Sequence, residues 1–391
     1  MNWNDKTAAN VKAIKPSGIR KFFDIAAQVK GVLSLSIGEP DFAAPDKVLA
    51  AMKASLDAKE TSYTGNSGMM ELREAISHHF EQRYGVHYDP KDEILVTVGV
   101  SEGLAMALLA ITEPGDEVII PDPAYVAYPA SVELAGGTPV FVPTYPEHDF
   151  KLTVEALEKV ITPKTKAIVI GYPNNPTGTV MSAEELMPIA KFAEEHDLIV
   201  LSDEIYCELM YGDAKFTSFA KLPGMRERTV IFNGFSKAYA MTGMRLGYVC
   251  APREGLAPIL KLHQYAIMCA NTTAQVGGIT ALKECDDDVE AMRQEYDRRR
   301  KVIYKGLCDM GLPVFEPKGA FYIFPDIRCT GMTSAEFCEK LVQEEKVAVV
   351  PGTAFGDQGE GFVRISYAAS MDTIQEALKR MARFVEKYRS C

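Results

Sequence analysis

Between residues 93 and 251 the hydropathy pattern is a series of short apolar runs rich in Val and Ile. They occupy 93–99 (EILVTVG), 116–122 (DEVIIPD), 138–143 (TPVFVP), 166–172 (KAIVIGY), 197–203 (DLIVLSD), 228–234 (RTVIFNG) and 245–251 (RLGYVCA). Their apolar residues follow one another with little polar alternation, which predicts strands buried on both faces. The stretches between them have helical character. Residues 101–111 are apolar nearly all round, and Ser182 with Glu185 spells a capping box ahead of 186–196. Alternation of strand and helix predicts an α/β fold, with a mostly parallel seven-stranded sheet flanked by helices.

The pattern changes after residue 285. Residues 286–300 (DDDVEAMRQEYDRRR) place acids first and bases last, which suits the helix dipole and reads as a solvated helix face. A run at 319–325 (GAFYIFP), a capping box at Thr333 and Glu336, a strand at 347–350 and another run at 362–367 (FVRISY) follow. Strands and helices without strict alternation predict a smaller α+β domain. The expected division is 46–285 for the large domain, and 1–45 with 286–391 for the small one.

Composition narrows the function. The 391 residues suit two or three domains, and 47% apolar with 24% charged residues is ordinary for a globular protein. A net charge of −11 argues against nucleic acid or an anionic membrane as a partner, but leaves room for a small anion in a locally positive pocket. Residues 1–20 lack the apolar core of a secretory signal, and runs such as 104–111 fall far short of the ~18 residues of a membrane span. Eight cysteines with no C-x-x-C pair read as reduced thiols in the cytoplasm, and six histidines in no ligand spacing give no metal site.

In α/β sheets ligands bind beyond the carboxyl ends of the strands. Residues 99–103 (GVSEG) follow the first run, and a Gly and a small hydroxyl residue at a helix start make a cradle of backbone N–H groups for an anion. Ser101 as a plain N-cap is the alternative. Tyr125 follows the second run, placed to stack on a planar ligand or simply to pack. Residues 172–178 (YPNNPTG) form a rigid turn at a strand end, a position that favours a ligand role for one asparagine. Asp203 ends an apolar run, so its carboxylate needs a cationic or hydrogen-bonded partner. In 234–247 (GFSKAYAMTGMRLG), Lys237 and Arg245 bring two cations to one sheet edge. A crowded, desolvated lysine has a lowered pKa, as an amine nucleophile requires, whereas a surface lysine in a turn is the plain alternative.

Together these segments resemble the class I, fold type I aminotransferases of the aspartate/aromatic type, which use pyridoxal 5′-phosphate (PLP). The resemblance runs from 36–42 (SIGEPDF) to 362–368 (FVRISYA). Residues 234–247 match the family's lysine signature, and 174–178 (NNPTG) and 202–206 (SDEIY) stand in the expected order and spacing. The resemblance implies that Lys237 forms the internal aldimine with PLP and, once displaced, serves as the general base. Asp203 would pair with the pyridinium N1, keeping the ring an electron sink. Tyr206 and Asn175 would hydrogen-bond the ring O3′, and Tyr125 would stack on the ring. Val100 and Ser101 N–H groups, with Arg245 opposite, would hold the phosphate. Arg364 would clamp the substrate α-carboxylate beside Gly38 and Asn175. Tyr63 corresponds to the tyrosine lent to the partner subunit's phosphate, which implies a homodimer. Many members carry a phosphate-binding Ser three residues before the lysine; here it is Gly234, and Ser236 is the nearest substitute.

The activity so implied is a ping-pong transfer of an amino group from an L-α-amino acid to a 2-oxo acid. The alternative within the fold is a PLP-dependent lyase of the C–S β-lyase or aminocyclopropane carboxylate synthase type. A non-catalytic PLP-binding regulator is the rival from another class, disfavoured by the acidic charge and the short segment before Ser36. A dicarboxylate substrate would want a second cation, for which Lys15 and Arg20 are the candidates in the N-terminal segment.

Overall fold

The computed structural model describes residues 1–14, 18 and 29–389. Its strands are, in chain order, β1 (Leu33–Ser34), β2 (Ile94–Thr97), β3 (Glu117–Asp122), β4 (Thr138–Pro143), β5 (Thr165–Ile170), β6 (Ile199–Asp203), β7 (Thr229–Gly234), β8 (Gly247–Cys250), β9 (Tyr322–Ile323), β10 (Val347–Ala348), β11 (Val350–Pro351) and β12 (Val363–Ser366). All seven apolar runs of residues 93–251 enter one sheet, in the order β2-β8-β7-β6-β5-β3-β4. Neighbours pair in parallel except at β8, which runs antiparallel to both β2 and β7.

The missing polar alternation has a simple cause. On β3, Val118 and Ile120 face one layer of helices while Ile119 faces the other. The first layer includes Leu104 and Leu108 of the helix Gly99–Ile111 and Leu256 and Ile259 of the helix Arg253–Ala266. The second includes Leu186, Ile189 and Phe192 of the helix Ala183–Glu195. Successive side chains point to opposite faces, so a strand covered on both sides is apolar throughout. The two capping boxes form as read: Ser182 with Glu185, and Thr333 with Glu336.

A second core is drawn from residues 292–385 with Leu35 and the segment 205–211. Here β11, β12 and β9 make a small antiparallel sheet, β1 pairs in parallel with β10, and the helices Ser334–Glu345 and Met371–Tyr388 close the core. Residues 347–350 are two strands rather than one: the chain leaves β1 after Ala348 and pairs with β12 from Val350. Residues 286–300 also depart from the solvated reading. They open the helix Asp286–Asp309, and Arg299 and Arg300 are buried on its inner side. Arg299 pairs with Asp41 at 2.7 Å and Arg300 with Glu316 at 2.6 Å, so each buried guanidinium has a carboxylate partner.

Among the described residues no helix is long and apolar enough to cross a membrane. Lys15, Arg20 and Cys391 lie outside the described residues.

Candidate active site

A cavity of about 560 Å³ opens beyond the carboxyl ends of the parallel strands and is closed from the other side by β9 and β12. A helix start and three loops at the large sheet supply Val100, Tyr125, Asn175 and Lys237 to its wall, and the small sheet supplies Tyr322 and Arg364.

Lys237 follows β7 by three residues. Its Nζ donates a 2.7 Å hydrogen bond to the Gly38 carbonyl and stands 5.9 Å and 5.8 Å from the ring centres of Tyr206 and Phe321. Burial, and then the charge of Arg364, pull this amine down to about 8. Asp203 sits at the end of β6, buried. Its Oδ2 accepts from the Tyr128 hydroxyl at 2.7 Å and its Oδ1 from the Ile205 N–H at 3.2 Å. Burial raises this carboxyl above the usual range, while both hydrogen bonds favour the ionised form.

Tyr206 shares a 2.8 Å hydrogen bond with Tyr322, whose hydroxyl is 3.4 Å from the Gly38 carbonyl. Arg364, on β12, is 2% exposed. Its Nη1 donates to Asn175 Oδ1 at 3.0 Å and its Nη2 to the Ser36 carbonyl at 2.6 Å. The rings of Tyr322 and Phe355 lie 4.6 Å and 4.8 Å from the guanidinium carbon. Nε has no partner. The two asparagines of the 172–178 turn divide the work. Asn174 accepts from the Thr177 hydroxyl and donates to the Gly171 carbonyl, building the turn, and Asn175 faces the cavity.

The helix Gly99–Ile111 begins with Val98 as its N-cap and no side-chain cap, so Ser101 is not a capping residue. Gly99 has φ +73°, and a Cβ there would lie 2.6 Å from Arg245 Nη2. Glycine thus lets the Arg245 guanidinium lie against the helix start, where Arg245 Nη1 also donates to the Thr242 carbonyl at 3.0 Å. Residues 99–103 also spell G-x-S-x-G, the pattern of a hydrolase nucleophile elbow. No described histidine hydrogen-bonds Ser101; the nearby His263 is bound to Glu102 at 2.9 Å.

Gly234 is fixed by backbone approach. A Cβ there would lie 2.7 Å from Gly247 Cα and 2.9 Å from the Leu246 carbonyl, so β8 leaves no space for a serine. Ser236 is on the cavity wall. Tyr63 is 79% exposed and does not line the cavity of its own chain.

The sequence matches the family model of aminotransferases class I and II over residues 30–381. The chain belongs to this family, and it is a transaminase. It is 50% identical over 376 residues to an aspartate aminotransferase of Pyrococcus abyssi, covering 96% of this chain and 97% of that one. It is 47% identical over 379 residues to aromatic-amino-acid aminotransferase 2 of Thermococcus litoralis, covering 96% and 97%. Among solved structures it is similar to an aromatic aminotransferase from Pyrococcus horikoshii, with TM-score 0.90 and 49% identity over 94% of this chain and 99% of that one. Class I and II aminotransferases are PLP-dependent.

Three residues of this aminotransferase site escaped the sequence reading. Tyr128 lies three positions after Tyr125, one helical turn on, and that spacing was its only signal. Tyr322 lay inside the 319–325 run, which reads simply as strand. Phe355 is in a loop with no motif.

Proposed function

We propose that this chain moves an amino group from an L-α-amino acid to a 2-oxo acid with PLP held in the cavity described above. The carrying observation is that one wall brings together a half-buried amine, Lys237, a buried carboxylate, Asp203, and a buried guanidinium, Arg364. The donor set fits the cofactor. An uncapped helix start faced by Arg245 suits a phosphate. Asp203, whose Oδ2 accepts from Tyr128, suits a protonated ring nitrogen. Tyr125, half-buried on the wall, suits the ring face. PLP, when bound, supplies a carbonyl carbon for the amine and a ring that draws electrons from the substrate α-carbon.

The chain's residues then have distinct tasks. Val100, Ser101, Ser236 and Arg245 hold the phosphate, with Tyr63 reaching the partner subunit's site in a homodimer. Asp203 holds the proton on the ring nitrogen. Tyr206 and Asn175 hydrogen-bond the ring oxygen. Arg364 binds the substrate carboxylate through both Nη groups, joined by Asn175 and the Gly38 backbone. Lys237 Nζ, with its pKa near 8, is substantially neutral at mildly alkaline pH and moves the α-proton. Its bond to the Gly38 carbonyl supports this reading, since Gly38 is one of the groups proposed to lie beside the carboxylate.

The large domain is taken as 46–285 and the small one as 1–45 with 286–391. Cys285, which ends the helix Thr272–Glu284 and starts the helix Asp286–Asp309, supports that division. A cytoplasmic location fits the seven unbonded cysteines among the described residues.

Replacing Lys237 by Ala tests the reading. The variant should retain less cofactor, lose its characteristic near-visible absorbance and turn over at least about 1,000-fold more slowly, as expected for loss of a covalent and general-base residue. Wild-type turnover in that variant would overturn it.

A further inference from the structure

Residues 352–362 link β11 to β12 through two short turns, Gly352–Phe355 and Asp357–Gly359. This loop is fastened to the carboxyl end of β3. Asp122, the last residue of β3, is buried, and its Oδ2 accepts from the backbone N–H groups of Asp357 at 3.1 Å and Gln358 at 3.4 Å. Two residues on, the Ala124 N–H donates to the Phe355 carbonyl at 2.9 Å. Among the described residues Asp122 Oδ1 has no hydrogen-bond partner, and it lies against Gly356, where φ is +134° and a Cβ would overlap it. A buried carboxylate is thus devoted to two backbone donors of a loop from the other core, with glycine opposite because nothing larger fits.

The loop matters to the site through Phe355. Its ring lies 4.8 Å from the Arg364 guanidinium carbon and is 5% exposed. The chain that carries Asp122 also carries Tyr125, three residues on, on the cavity wall. We propose that Asp122 is a positioning residue for substrate binding: it holds the 355–358 backbone so that Phe355 stays against Arg364, and it ties the Arg364 side of the cavity to the Tyr125 loop. Phe355 screens the guanidinium from water, which strengthens its hold on a carboxylate. Release of the loop admits water there and weakens binding of the carboxylate more than the chemistry that follows.

The inference rests on the transaminase reading, which wild-type turnover with an amino donor and a 2-oxo acid tests by itself. The Asp122 test uses the PLP-loaded full chain and the best donor of an L-amino-acid panel. Asp122→Ala should raise the donor KM about 10-fold with kcat within about 3-fold, the pattern of lost binding rather than lost transition-state contact. Asp122→Asn keeps an acceptor oxygen for the two N–H groups and should hold KM within about 3-fold of wild type. Gly356→Ala, which forces the loop off Asp122, should raise KM as Asp122→Ala does, and decides the matter if Asp122→Ala does not fold. An unchanged KM with only a lower melting temperature or kcat would overturn the proposal, as would Asp122→Asn raising KM as far as Asp122→Ala.

Discussion

The Tyr128 hydroxyl donates to Asp203 Oδ2 across 2.7 Å, inside a site where burial alone would push that carboxyl toward its neutral form. A hydrogen bond to a charged group contributes about 1.5–3 kcal/mol, or roughly 10- to 100-fold in a rate that depends on the charge. Tyr128→Phe should therefore lower kcat about 10-fold or more while the donor KM stays near wild type. Steady-state kinetics at matched melting temperature check this.

Lys237 gives a pH-dependent stability with a definite sign. Its pKa falls from the ordinary 10.5 to about 8 in the fold, so the folded chain disfavours the charged amine. The destabilisation is complete below pH 8 and fades as pH rises toward 10.5. Cofactor-free Lys237→Met should therefore melt higher than the cofactor-free parent at pH 7, with the difference closing by pH 10.5. Thermal melts across that range read the outcome, and a gap that widens with pH would contradict it.

Arg364→Lys keeps a positive charge but loses the planar fork that serves Asn175 and the Ser36 carbonyl together. It should reduce kcat/KM about 100-fold, as expected when a buried, hydrogen-bonded charge loses its geometry. Cofactor retention should not change, because the role proposed for Arg364 is toward the substrate carboxylate and not the phosphate. Equilibrium dialysis of PLP alongside the kinetics separates the two effects.

Gly99→Ala tests the proposed phosphate site in the same way. The methyl would meet Arg245 at 2.6 Å and must also adopt φ +73°. PLP affinity should weaken about 10-fold or more through strain and displacement of the guanidinium. The donor KM at saturating cofactor should stay near the parent value.

The large sheet was legible because burial on both faces writes itself as unbroken Val and Ile runs, and each of the seven became a strand. Lys237, Asp203 and Arg364 were legible because they sit at strand ends or in local signatures. Tyr322 and Phe355 were not, because their role is set by the approach of β9 and the 352–362 loop to Arg364, a contact between segments far apart in the chain. Arg299 and Arg300 misled for the same reason. Their partners Asp41 and Glu316 lie outside the run, so two buried guanidiniums paired with partly exposed carboxylates read as a solvated charge run. Gly234 was visible as a position where many members of the family carry Ser and the family pattern also allows Gly, yet only the approach of β8 gives its cause.

The most direct test is a half-reaction: PLP-loaded protein is mixed with an L-amino acid donor alone, and the 2-oxo acid and ammonia formed are counted per site. A transaminase should release about one equivalent of 2-oxo acid per site and no ammonia, stop, and resume only when a second 2-oxo acid is added, because the amino group stays on the enzyme until an acceptor takes it. Continuous release of ammonia without any acceptor would contradict the account and assign the site to a lyase.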